Sequence, residues 1–163
     1  MTDRHLAITM GDPAGIGPEV IAKAWSARRE RGVPPFVAVG DARAIDRVWT
    51  GPSHKVDRVL GEGDEVAGFR VVHAPGHAPG EVIFFRDSDR VAICGDVVRN
   101  MSFLTAMPGV RQPPDEMTYD PAENRRSIRK LAALEPILIL PGHGPEITDM
   151  GEFERFVAAL PVD

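Results

Sequence analysis

The hydrophobic positions of the chain form short runs whose spacing alternates between that of strands and that of helices. His5–Met10 and Pro35–Val39 are apolar runs that predict strands. Between them, apolar residues recur at helical spacing after Pro18, a residue that suits a first helical turn. A short helix is predicted over Ala42–Trp49. These residues therefore predict a strand-helix-strand-helix segment over residues 1–49.

The pattern changes near Gly51, where short β-branched and aromatic runs follow one another between glycine, aspartate and serine turns. Such runs predict an antiparallel meander. The candidate strands are Val56–Leu60, Phe69–His73, Glu81–Arg86 and Arg90–Cys94. Residues 50–163 are thus expected to form a second segment, which either stands alone or merges with residues 1–49 into one domain.

Two helices and a further strand are predicted after the meander. Asp120, followed by Pro121 and Glu123, is a helix-start pattern, and Asp149 precedes a run with apolar residues on one helical face. Pro136–Leu140 is an apolar strand candidate between these helices. The alternation predicts an α/β fold, with a mixed sheet and flanking helices.

Composition and charge exclude several function classes. Hydrophobic residues make up 43% and charged residues 26% of the 163 residues, a globular mixture. The net charge of −5, without a basic cluster, argues against nucleic-acid partners and anionic membrane surfaces. The single cysteine, Cys94, fits a reducing compartment and is expected in the core. The sequence contains no apolar run long enough to span a membrane and no signal-like start, so we expect a cytoplasmic protein.

Three side chains that can bind metals follow predicted strands. His77, Asp96 and His143 each lie in a glycine-rich loop after an apolar run. Strands fix such loops, and two imidazoles with one carboxylate suit zinc or non-haem iron. The alternative is that the histidines are ordinary loop residues and the aspartate a turn or cap residue, since long spacings alone are weak evidence.

The sequence around these residues resembles the metallo-β-lactamase-fold hydrolases. The resemblance rests on the segment His73–Gly80, on Gly95-Asp96 and on Gly142-His143-Gly144, and it extends from about residue 51 to the end. It implies an αββα architecture in which His77 ligates a first metal, Asp96 bridges and His143 ligates a second. The implied reaction is metal-assisted hydrolysis by an ionised water.

The chain departs from that family in one motif. The five histidines are His5, His54, His73, His77 and His143, so the H-x-H-x-D-H motif, which supplies four further ligands, is absent. The expectation is therefore an incomplete αββα architecture holding one zinc or iron ion. Asp96 would be the catalytic residue, and weak hydrolysis of an ester, thioester or lactam would be the activity. His73 is a less favoured substitute ligand. In the family, the region around Phe103 and Met107 often lines the substrate site, although here it could equally cover the sheet.

The N-terminal segment resembles a different family. Gly15 and Gly17 lie in a glycine-rich turn between a predicted strand and helix, a layout that binds anions or simply makes a tight turn. The string Ile8–Val20 is similar to the opening of 4-hydroxythreonine-4-phosphate dehydrogenases, and the likeness extends over about the first 48 residues. Those enzymes use NAD and a histidine-bound metal, but nothing after residue 50 resembles them, so NAD is not expected here.

Two resemblances in one chain suggest a chimeric or truncated sequence. The leading hypothesis is the weak hydrolase acting on a small molecule. One alternative is a non-catalytic α/β module that forms homo-oligomers through apolar surface. The other is a phosphate- or nucleotide-binding remnant of the dehydrogenase, centred on Gly15 and Gly17.

Overall fold

The structure is a computed structural model that describes residues 6–9, 17–32, 36–39 and 59–162. The chain divides into two compact units, residues 1–59 and residues 60–163. The predicted boundary at residues 49 and 50 stays a prediction. The mixture of sheets and helices confirms the α/β class.

The first unit contains two short strands and a helix. The strands β1 (Leu6–Thr9) and β2 (Phe36–Val39) pair in parallel. The helix α1 (Gly17–Ala27) lies between them in sequence, as predicted. Its Ile21 is buried. The predicted helix Ala42–Trp49 lies outside the described residues.

The second unit is built on a five-stranded sheet. Its strands, in spatial order, are β3 (Glu65–Val66), β4 (Phe69–His73), β5 (Val82–Arg86), β6 (Val91–Gly95) and β9 (Leu138–Pro141). The first four strands pair antiparallel, which confirms the predicted meander for its last three strands, whereas β3 was not predicted and β9 pairs in parallel with β6. Val59 and Leu60, the described end of the predicted strand Val56–Leu60, are not in a strand.

A hairpin and two helices complete this unit. The strands β7 (Arg99–Met101) and β8 (Pro108–Arg111) pair antiparallel. A short 3-10 helix at Asp115–Met117 leads to α2 (Pro121–Ala133), and α3 (Met150–Ala158) follows β9. Both predicted caps are present, because the side chains of Asp120 and Asp149 accept hydrogen bonds from the backbone N–H three residues later.

The core of the second unit lies between one face of the sheet and the two helices. The apolar residues that alternate along the strands meet one side of each helix there, and Cys94 lies among them, as predicted. The fully buried members include Ile83, Ala92, Cys94, Ile128, Leu131, Ile139 and Phe153. Complete burial raises the pKa of the Cys94 thiol, because the charged thiolate would lose its hydration.

The described residues contain no helix that is both long enough and apolar enough to cross a membrane.

Candidate metal centre

The sheet topology brings the three predicted ligands to one edge. The strands β4 and β6 run in the same direction, because each pairs antiparallel with β5, and β9 is parallel to β6. All three strands therefore end at the same edge. His77 follows β4, Asp96 follows β6 and His143 follows β9. His143 is 47 positions from Asp96 and 66 from His77 in the sequence. The three side chains therefore meet because of the direction of the strands and not because of local spacing.

Asp96 lies between the two histidines. Its Oδ1 is 2.6 Å from His143 Nδ1, and its Oδ2 is 3.9 Å from His77 Nε2. The side chains of Asp96 and His77 are only 7% and 10% exposed, whereas that of His143 is 44% exposed. A buried carboxylate therefore joins one buried imidazole and one that faces solvent.

The His77 ring contacts the hydroxyl group of Thr118. The Thr118 hydroxyl donates to the Pro114 carbonyl at 2.8 Å, so its oxygen is left to accept from His77 Nδ1 at 3.4 Å. A neutral imidazole that donates through Nδ1 carries its lone pair on Nε2. In that tautomer, Nε2 and a carboxylate oxygen of Asp96 would face each other across 3.9 Å with a lone pair on each atom.

This pair of atoms provides a test of whether the donor set fits a metal ion. Two ligand atoms of a tetrahedral zinc ion lie about 3.3 Å apart, so an ion between His77 Nε2 and Asp96 Oδ2 needs only a small adjustment. His143 is different, because its Nδ1 is hydrogen-bonded directly to Asp96. It would have to rotate, or present Nε2, to become the third ligand. The donor set thus suits one ion, although in the described ranges no three such side chains are already arranged to hold one.

Polar residues of the neighbouring elements hold two of the ligand loops. Asn124 on α2 accepts the His77 backbone N–H at 3.2 Å and donates to the Val97 carbonyl at 3.1 Å. The Glu81 carboxylate accepts the Asp96 backbone N–H at 2.7 Å. Asn124 is 2% exposed and Asp96 5%, so these bonds operate away from water.

The His143 loop has its own anchor. The backbone N–H of Asn100 donates to the His143 carbonyl at 2.9 Å, and its side chain donates to the carbonyls of Pro145 and Glu146. Gly142 permits the close approach of this loop, because a Cβ there would lie 2.6 Å from Asp96 Oδ1. A larger residue at position 142 would therefore displace the carboxylate.

The other residues singled out in the sequence lie in several different elements. His73 ends β4 and is exposed, and Gly17 begins α1. Gly15 lies outside the described residues, so the predicted anion-binding turn stays a prediction. Phe103 and Met107 are both exposed beside the hairpin rather than covering the sheet. The Phe103 ring lies edge-on to the His143 ring, with 5.1 Å between the ring centroids.

Sequence reasoning did not identify the residues that position the ligands. Thr118, Asn124, Glu81 and Asn100 all act across long sequence separations. Nothing local in the sequence indicates that the partners of Asn124 lie in two different loops.

Comparison with known proteins assigns the family. The profile of the metallo-beta-lactamase superfamily matches residues 12–143, which is most of the chain. The chain belongs to this superfamily. A probable metallo-hydrolase of Bacillus subtilis, YflN, is 37% identical over 83 residues, which cover 47% of this chain and 31% of that protein. The resemblance stated from the loops of His77, Asp96 and His143 is thus confirmed at the level of the family.

The second resemblance is also found, over a shorter stretch. The 4-hydroxythreonine-4-phosphate dehydrogenase of Methylorubrum extorquens is 57% identical over 44 residues, covering 27% of this chain and 13% of the enzyme. That of Caulobacter vibrioides is 60% identical over 45 residues. The chain therefore spans only a small part of the length of these dehydrogenases.

Solved structures share the fold. The metallo-beta-lactamase FIM-1 of Pseudomonas aeruginosa, in a mono-zinc form, superposes with a TM-score of 0.56 at 17% identity. TTHA1623, in a di-iron-bound form, gives a TM-score of 0.50 at 24% identity. In both comparisons 95% of this chain is covered, against 65% of the other chain. At these identities the likeness shows the fold alone.

Proposed function

We propose that this chain is a metal-dependent hydrolase that acts on a small ester, thioester or lactam. The observation that carries the proposal is the opposition of His77 Nε2 and Asp96 Oδ2 across 3.9 Å, with His143 bound to the other oxygen of the same carboxylate. Family membership supports the reaction class. Weak activity is expected, because the sequence lacks the H-x-H-x-D-H motif that would supply further ligands.

The residues that would hold the ion are His77 through Nε2, Asp96 through its carboxylate and His143 through an imidazole nitrogen. A bound zinc or iron ion supplies Lewis acidity and a water molecule that ionises near neutral pH. Both metals suit two imidazoles and a carboxylate, and zinc is the ion we propose first.

The protein's own residues prepare this site in two ways. A hydrogen bond from His77 Nδ1 to the Thr118 hydroxyl would leave Nε2 free to bind the ion. Asp96 Oδ1 lies within hydrogen-bond distance of His143 Nδ1, at 2.6 Å, and this contact would hold the imidazole at the solvent-exposed side of the centre, from where a substrate would approach. Asp96 is the catalytic residue of the proposal, since its carboxylate joins both histidines.

Hydrolysis of a panel of model substrates tests the proposal. The purified protein is loaded with zinc or treated with a chelator, and cleavage of 4-nitrophenyl acetate, an acyl thioester and a chromogenic lactam is followed. Asp96→Asn is compared with Asp87→Asn, which changes an exposed aspartate paired with Arg70. We expect zinc-dependent cleavage of at least one substrate, reduced at least about 100-fold by Asp96→Asn and unchanged by Asp87→Asn. Equal rates with and without zinc, or in both variants, would contradict the proposal. Absence of cleavage of every substrate would also contradict it and would favour the non-catalytic module.

A further inference from the structure

The hairpin beside His143 carries two arginines that face each other. Arg99 on β7 and Arg111 on β8 are directly opposite in the antiparallel register, so their side chains project from the same face. Like charges at such positions destabilise a strand pair. The arrangement therefore calls for an explanation beyond the stability of the hairpin.

Neither arginine forms an ion pair with a carboxylate of the described ranges. Arg99 donates through Nε to the Gln112 carbonyl at 3.1 Å, but its Nη1 is buried without a hydrogen-bond partner within the part of the chain that the structure describes. Other arginines of the same unit are matched with carboxylates, for example Arg86 with Asp89 at 2.7 Å. The two hairpin arginines thus lie opposite each other without an ion-pair partner among the residues that the structure describes, in a protein whose net charge is −5.

Aromatic stacking connects this charge to the candidate metal centre. The Arg99 guanidinium lies over the Phe103 ring at 4.2 Å, and the same ring contacts the His143 ring edge-on at 5.1 Å. Stacking holds the guanidinium in a fixed plane, which favours two-point recognition of an oxyanion. Desolvation and repulsion from Arg111 lower the pKa of Arg99, while the charge of Asp96 acts in the opposite direction.

The Arg111 side chain lies close to the backbone of Gly109. A Cβ added to Gly109 would lie 3.3 Å from Arg111 Nη2, so the guanidinium passes back over this glycine. The Gly109 N–H donates to the Asn100 side chain, which also binds the loop after His143. The same asparagine therefore anchors both the arginine hairpin and the His143 loop.

We infer that Arg99 and Arg111 form an oxyanion subsite that selects substrates carrying a carboxylate or phosphate group. Because it names the substrate class of the proposed hydrolase, this inference rests on the proposed function. The anionic group would lie between the two guanidiniums, and the scissile bond would extend past Phe103 towards His143. An incoming anion would relieve the repulsion that the empty pair carries.

Binding of small probes tests the subsite without requiring turnover. Calorimetric titrations at low ionic strength would compare glutarate and inorganic phosphate with glutaramide, the neutral analogue of glutarate. Arg99→Gln and Arg111→Gln are measured beside Arg86→Gln, which removes the same charge from an arginine that also lies over a ring, that of Phe69. We expect glutarate or phosphate to bind, and each hairpin variant to weaken the binding about tenfold or more, with no effect of Arg86→Gln.

A second readout separates a binding role from a structural one. Because like charges oppose each other, Arg111→Gln is expected to raise the melting temperature by about 1–3 °C while weakening anion binding. Equal binding of glutaramide and glutarate, or unchanged affinity in both hairpin variants, would overturn the inference. Anion binding that depends on these arginines, in a protein that cleaves no substrate, would support the subsite and refute the proposed hydrolysis. Equal cleavage of charged and neutral substrates would support the proposed hydrolysis and refute the subsite.

Discussion

Gly76 offers a sharp test of how the His77 loop is held. Its backbone φ is +140°, a value that residues other than glycine rarely adopt. A Cβ at this position would lie 2.2 Å from the backbone nitrogen of Asn124 and 2.3 Å from its Cα. These atoms belong to α2 and cannot move as a side chain would. Gly76→Ala therefore has to displace either the loop or the helix.

The expected loss combines two terms. An alanine in a glycine-only backbone region costs about 1–3 kcal/mol, and forced overpacking against a rigid neighbour costs about 1–3 kcal/mol. The unfolding free energy should therefore fall by about 2–6 kcal/mol, which corresponds to a melting temperature lowered by about 4–24 °C in a chain of this size. Gly80, four residues later, provides the matched control, because a Cβ there meets nothing within 4 Å and its φ is not positive.

Thermal and urea unfolding of the wild type, Gly76→Ala and Gly80→Ala would measure this difference. We expect Gly80→Ala to stay within about 1 kcal/mol of the wild type. A Gly76→Ala variant as stable as Gly80→Ala would refute the proposed packing of the His77 loop against α2.

Two further predictions concern Thr118 and Cys94. Thr118→Val should weaken zinc binding about 10–100-fold, because His77 loses the partner that holds its proton on Nδ1, and Thr118→Ser should restore it. Equal zinc affinities in equilibrium dialysis would show that the hydroxyl does not position the imidazole. The raised pKa of Cys94 means that the unfolded thiol ionises first, so stability present at neutral pH should fall above pH about 9 by up to about 1.4 kcal/mol per pH unit. Urea unfolding from pH 8 to 11 should show this slope in the wild type and a shallower one in Cys94→Ala, and parallel curves would contradict the assignment.

Much of the fold was predictable because its signals are local. The β-branched runs that became β4, β5 and β6 alternate apolar residues towards the core, and Asp120 and Asp149 are caps whose hydrogen bonds reach three residues. The hairpin of β7 and β8 was not predicted from the sequence. Its strands are short, and Asn100 is their one buried residue, so no alternation indicated them.

The ligands of the candidate site were visible in sequence, but their surroundings were not. His77, Asp96 and His143 stand out because each follows an apolar strand in a glycine-rich loop. His77 contacts Thr118, which is 41 residues away, and the opposition of Arg99 and Arg111 depends on the register of one hairpin. Strand register and side-chain direction arise from packing, so residue spacing alone could not predict these contacts.

The central claim is that His77, Asp96 and His143 together hold one metal ion. Metal analysis of the protein purified without a chelator, beside Asp96→Asn and the exposed control Asp87→Asn, tests it most directly. We predict about one zinc or iron ion per chain in the wild type and in Asp87→Asn, and a large loss in Asp96→Asn. Absence of metal from the wild type, or an equal content in Asp96→Asn, would contradict the claim.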